Sequence, residues 1–157
     1  MMNRTRLLAL VTSSALGVSL AGCASTEYSG TFKGEATESG TFKVAVMGAP
    51  EVATNESPPR KVPDATVSVA KDGAGYTVKF DACEMKGETS PAKANLVVAK
   101  GNCDVKIANW SGELPLSATL TFGEGGSLAM DVACTTREVK RNDITVMSYE
   151  WSFKGKK

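Results

Sequence analysis

Four cysteines and no histidine set the chemistry open to this 157-residue chain. Without histidine there is no Ser–His or Cys–His pair, no imidazole base and no zinc site of the His type. What remains is paired carboxylates, a serine–lysine dyad or a thiol nucleophile. Glu35 and Glu150 fall on strand faces expected to point outward beside lysines, where a surface salt bridge is the ordinary outcome. No spacing converges them. There is no Asp-x-Asp-x-Asp-Gly loop for calcium. The cysteines are Cys23, Cys83, Cys103 and Cys134. No Cys-x-x-Cys occurs, and the last three lack the spacing of a zinc site. The chain therefore reads as non-enzymatic, with no cofactor and no metal.

Cys23 has a context of its own. The chain opens with Arg4 and Arg6 and no acid, then runs apolar from Leu7 to Ala21 with only small polar interruptions. A charged stretch followed by a short apolar one is the layout of a secretory signal. It is too short for a membrane span of ~20 apolar residues. It ends in Leu20-Ala21-Gly22-Cys23, which resembles the lipobox of bacterial lipoproteins. The resemblance covers residues 1–23. It implies cleavage between Gly22 and Cys23, a thioether-linked diacylglycerol on Cys23, and acylation of the new amine by a palmitate-type chain. Each buried CH₂ contributes ~0.8 kcal/mol, so two or three chains anchor the protein without spanning the membrane. By resemblance to enterobacterial sorting, Ala24 rather than Asp after the lipid implies the outer membrane. The alternative is an ordinary signal cut near Ala21, with Cys23 free. The expected parts are a signal peptide at 1–22, a lipidated N-terminus and short tether at 23–29, and one β-domain at 30–157. Six residues, Ala24 to Ser29, reach ~20 Å when extended, which holds the domain against the membrane.

Loss of Arg4 and Arg6 leaves 16 of the 18 basic residues against 17 acids, a net charge near −1. No basic stripe recommends nucleic acid as a partner. Three cysteines remain after lipidation, and export to an oxidising compartment favours one disulfide. Cys83–Cys103 closes a compact local loop if the strand holding Cys83 runs on through Glu84-Met85-Lys86. Cys83–Cys134 is the alternative if that strand stops near Ala82. The first pairing is preferred, with Cys134 a buried free thiol.

The elements that position these residues are strands. Period-2 alternation is strong and helical periodicity scarce. Ser-Gly-Thr-Phe-Lys occurs at 29–33 and again at 39–43. A turn at Glu38-Ser39-Gly40 would pair Phe32 with Val46, Gly34 with Val44 and Ala36 with Phe42. A second hairpin about Gly73-Ala74 pairs Val67 with Phe80 and Val69 with Val78. A third, about Gly101-Asn102, pairs Val98 with Val105 and Leu96 with Ile107. A fourth, about Gly125, pairs Leu120 with Met130, Ala118 with Val132 and Leu116 with Cys134. The last strand, Ile144 to Phe153, puts Met147, Tyr149, Trp151 and Phe153 on one face.

The expected fold is all-β: an antiparallel meander of about eight to nine strands closing into a small barrel, with a β-sandwich as the alternative. Lysines and acids at mid-strand on the outer faces argue against a transmembrane barrel. Gly48 to Asp64 holds four prolines and no apolar period, and reads as a Pro-rich loop, 48–64, at a barrel mouth.

The barrel resembles lipocalin-like and avidin-like barrels in architecture only, with no Gly-x-Trp near its start. Phe32, Phe42, Tyr76, Phe80, Trp151 and Phe153 would line its interior, as filling or around a small apolar ligand. The Ser-Gly-x-x-Tyr and Thr-Lys-Gly motifs of surface lysozyme inhibitors are not found. The leading expectation is a lipid-anchored envelope protein with a structural or protein-interaction role. A carrier of a small apolar ligand and an inhibitor of a secreted hydrolase are the alternatives.

Overall fold

In a computed structural model, which describes residues 28–48 and 52–157, eight antiparallel strands form a closed ring. They are β1 (Gly30–Val46), β2 (Val52–Asp72), β3 (Gly75–Phe80), β4 (Cys83–Thr89), β5 (Leu96–Ile107), β6 (Trp110–Phe122), β7 (Ser127–Lys140) and β8 (Asp143–Lys156). Each pairs with the next in sequence, and β1 pairs with β8 to close the barrel. The only helical turn among the described residues is the 3₁₀ turn Glu124–Gly126 between β6 and β7. None of their helices is long and apolar enough to cross a membrane.

Alternation drives the closure. The inner faces supply the core, with Val67, Val78, Val97, Ala118, Leu120 and Met130 fully buried. Among the described residues no charged or polar residue is buried with them. The seam is tight. Gly34 and Gly155 face each other across β1 and β8, and a Cβ on Gly34 would overlap the backbone carbonyl of Lys154. Only glycine permits that approach.

Two expected hairpins hold in register: Val67 opposes Phe80 and Val69 opposes Val78, while Leu120 opposes Met130 and Ala118 opposes Val132; the expected Leu116–Cys134 pair is not formed, because that ladder ends at Ser117↔Ala133. Two others are corrected. No turn occurs at Glu38-Ser39-Gly40, because β1 runs straight through it and pairs with β2 on one side and β8 on the other. The repeated pentapeptide therefore lies along one strand. No turn occurs at Gly101-Asn102 either: β5 continues to Ile107 and turns at Ala108-Asn109, where Ala108 takes a φ of 50°.

The Pro-rich loop is also corrected, because Val52 to Asp64 belongs to β2. Two register shifts accommodate its prolines. Gly34↔Ala65 is followed by Ala36↔Val62, and Glu38↔Arg60 by Gly40↔Ser57. Each shift inserts one extra β2 residue, a bulge, and Pro63 and Pro58-Pro59 fall within them. Beyond Val67 this part of β2 has no β3 partner, so a missing N–H breaks no rung there.

Strand lengths are unequal, and the barrel therefore divides. We call the end where β1 begins, at Gly30, the lower end. The β6–β7 ladder stops going upward at Ser117↔Ala133, just short of Pro115, which cannot donate a rung. The β3–β4 hairpin ends at Phe80 and Cys83. Above these points β2, β1, β8 and β7 continue as a four-stranded sheet facing the β5–β6 hairpin. Phe42 stacks on Trp110 between the two layers, with centroids 6.0 Å apart. A Cβ on Gly40 would press into Ile107, so the layers meet closely there. The lower half is a barrel and the upper half has two layers.

Candidate functional site

The short β3–β4 hairpin leaves the wall open between β2 and β5, and the sill of that opening is the Asp81-Ala82 turn. One hydrogen bond spans it: the Ala108 N–H donates to Ser57 Oγ at 2.6 Å. A cleft of about 500 Å³ lies in the opening, with Glu38, Arg60, Asp64, Phe80, Asp81 and Trp151 among its walls. A second cleft, about 590 Å³, runs between Pro58-Pro59 and Lys106.

Glu38 is the residue at the centre. It lies on the inner face of β1, opposite Arg60 of β2. The Tyr149 hydroxyl donates to Glu38 Oε1 at 3.1 Å, and Arg60 donates through Nη2 to Oε2. The bulge at Pro63-Asp64 shifts the inner-facing positions of β2 from Val67 and Ala65 to Val62 and Arg60, and the missing wall leaves the Arg60 side chain 74% exposed. Burial, aided by the Glu38 charge and its hydrogen bond, pushes the Tyr149 phenol well above the usual phenol range. The hydrogen bond and charge of Glu38 raise the Arg60 guanidinium further. Tyr149 is thus a fixed hydrogen-bond donor at neutral pH, and Glu38 a carboxylate whose two oxygens are already engaged. Asp64 and Asp81 border the cleft in left-handed conformations, with φ of 54° and 49°. Among the described residues no three His, Cys, Asp or Glu side chains gather as a metal site would need. Three carboxylates, one of them paired with the Arg60 guanidinium, over an aromatic floor suit binding a polar group.

On the other side of the upper half, β7 above Ala133 has no β6 partner. Cys134 and Thr136 lie on its inner face. Cys134 is a buried free thiol, raised in pKa by that burial, and the buried Thr136 Oγ1 has no hydrogen-bond partner among the described residues. At the tip of the four-stranded sheet one row runs Val52, Ala45, Ile144, Val139 across β2, β1, β8 and β7. Val52 and Val139 in that row, with Val46 and Met47 beside it, are among the exposed large hydrophobics.

The residues singled out in the sequence are placed as follows. Cys83 is bonded to Cys103, with Cα atoms 5.1 Å apart. Cys83 and Cys103 continue the Lys86↔Lys100 register, so strand pairing brings them together. The alternative Cys83–Cys134 pairing is thereby corrected: Cys134 sits free on β7. Phe32, Tyr76, Phe80, Trp151 and Phe153 are core residues, none more than 5% exposed. Phe80 packs on Trp151 at 4.6 Å and Trp151 on Phe153 at 5.8 Å. Phe42 is only partly buried and belongs to the upper half. Cys23 lies outside the described residues. The Glu38–Arg60–Tyr149 cluster was missed by sequence reasoning, which placed Glu38 in a turn. The available signal was Tyr149, whose place on a buried stripe requires a partner for its hydroxyl.

Comparisons with protein families, with curated proteins and with solved structures find no match for this chain.

Proposed function

We propose that this chain is a lipid-anchored protein of the bacterial envelope that works by holding a protein partner on its divided upper half. The anchor rests on the resemblance of Leu20-Ala21-Gly22-Cys23 to a lipobox. One structural observation carries the partner: the upper half ends in an apolar row, Val52 to Val139, beside an unpaired stretch of β7. Exposed valines and an open strand edge are what a partner's apolar side chains and main chain would cover. Tyr28 stacks on Phe122 at 4.4 Å at the lower end, so the chain enters the fold opposite this tip. β1 alone runs roughly 50 Å between the ends. An anchored protein would carry the tip away from its lipid.

The test is photo-crosslinking in the native host from a reactive residue at Val139, with Val98 on the lower barrel wall as control. A discrete adduct from Val139 that Val52→Glu abolishes, with fold and membrane attachment kept, supports the reading. Equal labelling from both sites, or an adduct indifferent to Val52→Glu, refutes it.

A small-molecule reading has its own observation, the cleft beneath Arg60. A ligand there would be displaced by Arg60→Ala. A ligand in the aromatic interior would instead respond to Phe80 or Trp151.

A further inference from the structure

The lower end carries charge that the fold itself leaves unanswered. Lys33 on β1 stands directly opposite Lys156 on β8, a like-charge pair of the kind that weakens a ladder. Lys154 is two rungs away on the same face, and Lys157 lies over the Phe32 ring, its amine 5.6 Å from the centroid. All four lysines are exposed. Glu35 opposes Lys154, yet among the described residues none of the four has a carboxylate within salt-bridge distance. The three arginines of the described residues, Arg60, Arg137 and Arg141, all lie in the upper half.

Lys33, Lys154 and Lys156, together with Glu35, line a shallow groove of about 670 Å³ on the outer wall, and Lys157 lies outside it. Its floor is made by short side chains: Ala129 and Ser127, in the rows of Lys154 and Lys156. Small residues on β7 beside the long cationic ones of β8 leave room for an anion the size of a phosphate next to Lys154 and Lys156. The position matters as much as the charge. Tyr28 is packed at this end, five positions along the chain from Cys23. Even fully extended they reach only ~17 Å.

We infer that the lower end rests on the phosphates of anionic lipid headgroups, through Lys33, Lys154, Lys156 and Lys157. The barrel then stands on the membrane with its divided end outward. Each lysine near an anionic leaflet adds attraction that salt screens within a Debye length. The inference rests on the anchored reading for where the membrane is. The like-charge pair and the lysine groove stand without it.

The experiment is a lysine-acylation footprint read by mass spectrometry. Protein purified from its host's membranes is placed in vesicles of phosphatidylcholine alone, or of phosphatidylcholine with phosphatidylglycerol. With phosphatidylglycerol, the four lysines should react several-fold more slowly, while Lys106 and Lys140 at the far end keep their rates. High salt should restore the lower-end rates. Unchanged lower-end rates in vesicle-bound protein overturn the inference and leave the anchor standing. Equal protection in both vesicle types also overturns it, since burial against any lipid would then suffice. If the same spectra find no lipid on Cys23, the anchored reading fails by itself. The unlipidated protein then decides the matter at low salt: pelleting with the anionic vesicles and protection of the four lysines uphold the contact, and failure to pellet overturns it.

Discussion

Breaking the Cys83–Cys103 bond should cost about 3 kcal/mol, and the cost should be felt first at the sill of the wall opening. The two residues are 20 apart in sequence. Closing a loop of that size lowers the entropy of the unfolded chain by about 11 cal/mol/K, or about 3.3 kcal/mol at 25 °C. The native state returns little of that gain. Strand pairing already brings the two positions together, and their Cα separation of 5.1 Å is ordinary for a disulfide. For a domain of this size the loss corresponds to a fall in Tm of about 10 °C. The perturbation is Cys83→Ala with Cys103→Ala, read by urea and thermal unfolding of the oxidised protein and the variant. Hydrogen exchange adds the location: amides of the Asp81-Ala82 turn and of Glu84 should lose protection before those of β6 or β7. Cys134→Ala, which breaks no link, should stay within about 1 kcal/mol. Equal stability of the double variant and the oxidised protein would refute the reasoning. So would an oxidised protein with three titratable thiols after unfolding.

Three shorter predictions follow from the same geometry. Gly34→Ala should destabilise the barrel by about 3 kcal/mol or more in urea unfolding, because its Cβ meets the rigid backbone of Lys154 and Gly155. Phe42→Ala should loosen the upper half alone: exchange should quicken in Asp104–Ile107 and Arg137–Lys140 while Val67, Val78 and Leu120 stay protected. Cys134 should resist thiol reagents in the folded protein at neutral pH. Its pKa is raised by burial, so its contribution to stability is complete below the ordinary thiol range and is lost as pH climbs through the raised value. A steeper fall of stability with pH, starting in the ordinary thiol range, in the parent than in Cys134→Ala is the expected result, since the raised Tyr149 phenol adds its own loss at higher pH in both.

The sequence disclosed the lower barrel better than the upper half, for physical reasons. Where two consecutive strands meet at a short turn marked by glycine, alternation alone determines register. Val67↔Phe80 and Leu120↔Met130 could therefore be paired by eye. Turns were found where glycine marks them, at Gly73 and Gly125. They were missed where Asp81, Ala108 and Arg141 take φ near 50° in tight two-residue turns, since such residues rarely advertise a left-handed backbone. Glycines that do not turn misled equally. Gly40 and Gly101 lie inside strands, one against Ile107 and the other against Glu84 and Met85, where a side chain would not fit. The wall opening was hidden for a related reason: a six-residue β3 beside a 21-residue β2 is a mismatch between elements, invisible in either alone.

Prolines were read as the mark of a loop, and they bear instead on which edges of the divided sheet stay open. The four-stranded upper sheet ends in β2 on one side and β7 on the other, and an exposed edge invites another strand. On β2 the invitation is withdrawn. Pro58, Pro59 and Pro63 remove donors, two bulges bend the strand, and Ser57 is tied to Ala108. On β7 nothing comparable occurs from Thr135 to Lys140: the run has no proline, its ladder to β8 is unbroken, and Val139 stands exposed at its end. Arg137, Glu138 and Lys140 keep this edge charged, and Lys140 is paired with Glu138 at 2.8 Å. A charged edge resists pairing with any apolar strand it meets while still accepting one of complementary charge. A barrel of matched strands would bury these edges and gain the rungs now missing between β6 and β7. That this one stops at Pro115 and leaves β7 bare is the reason to look for its partner there.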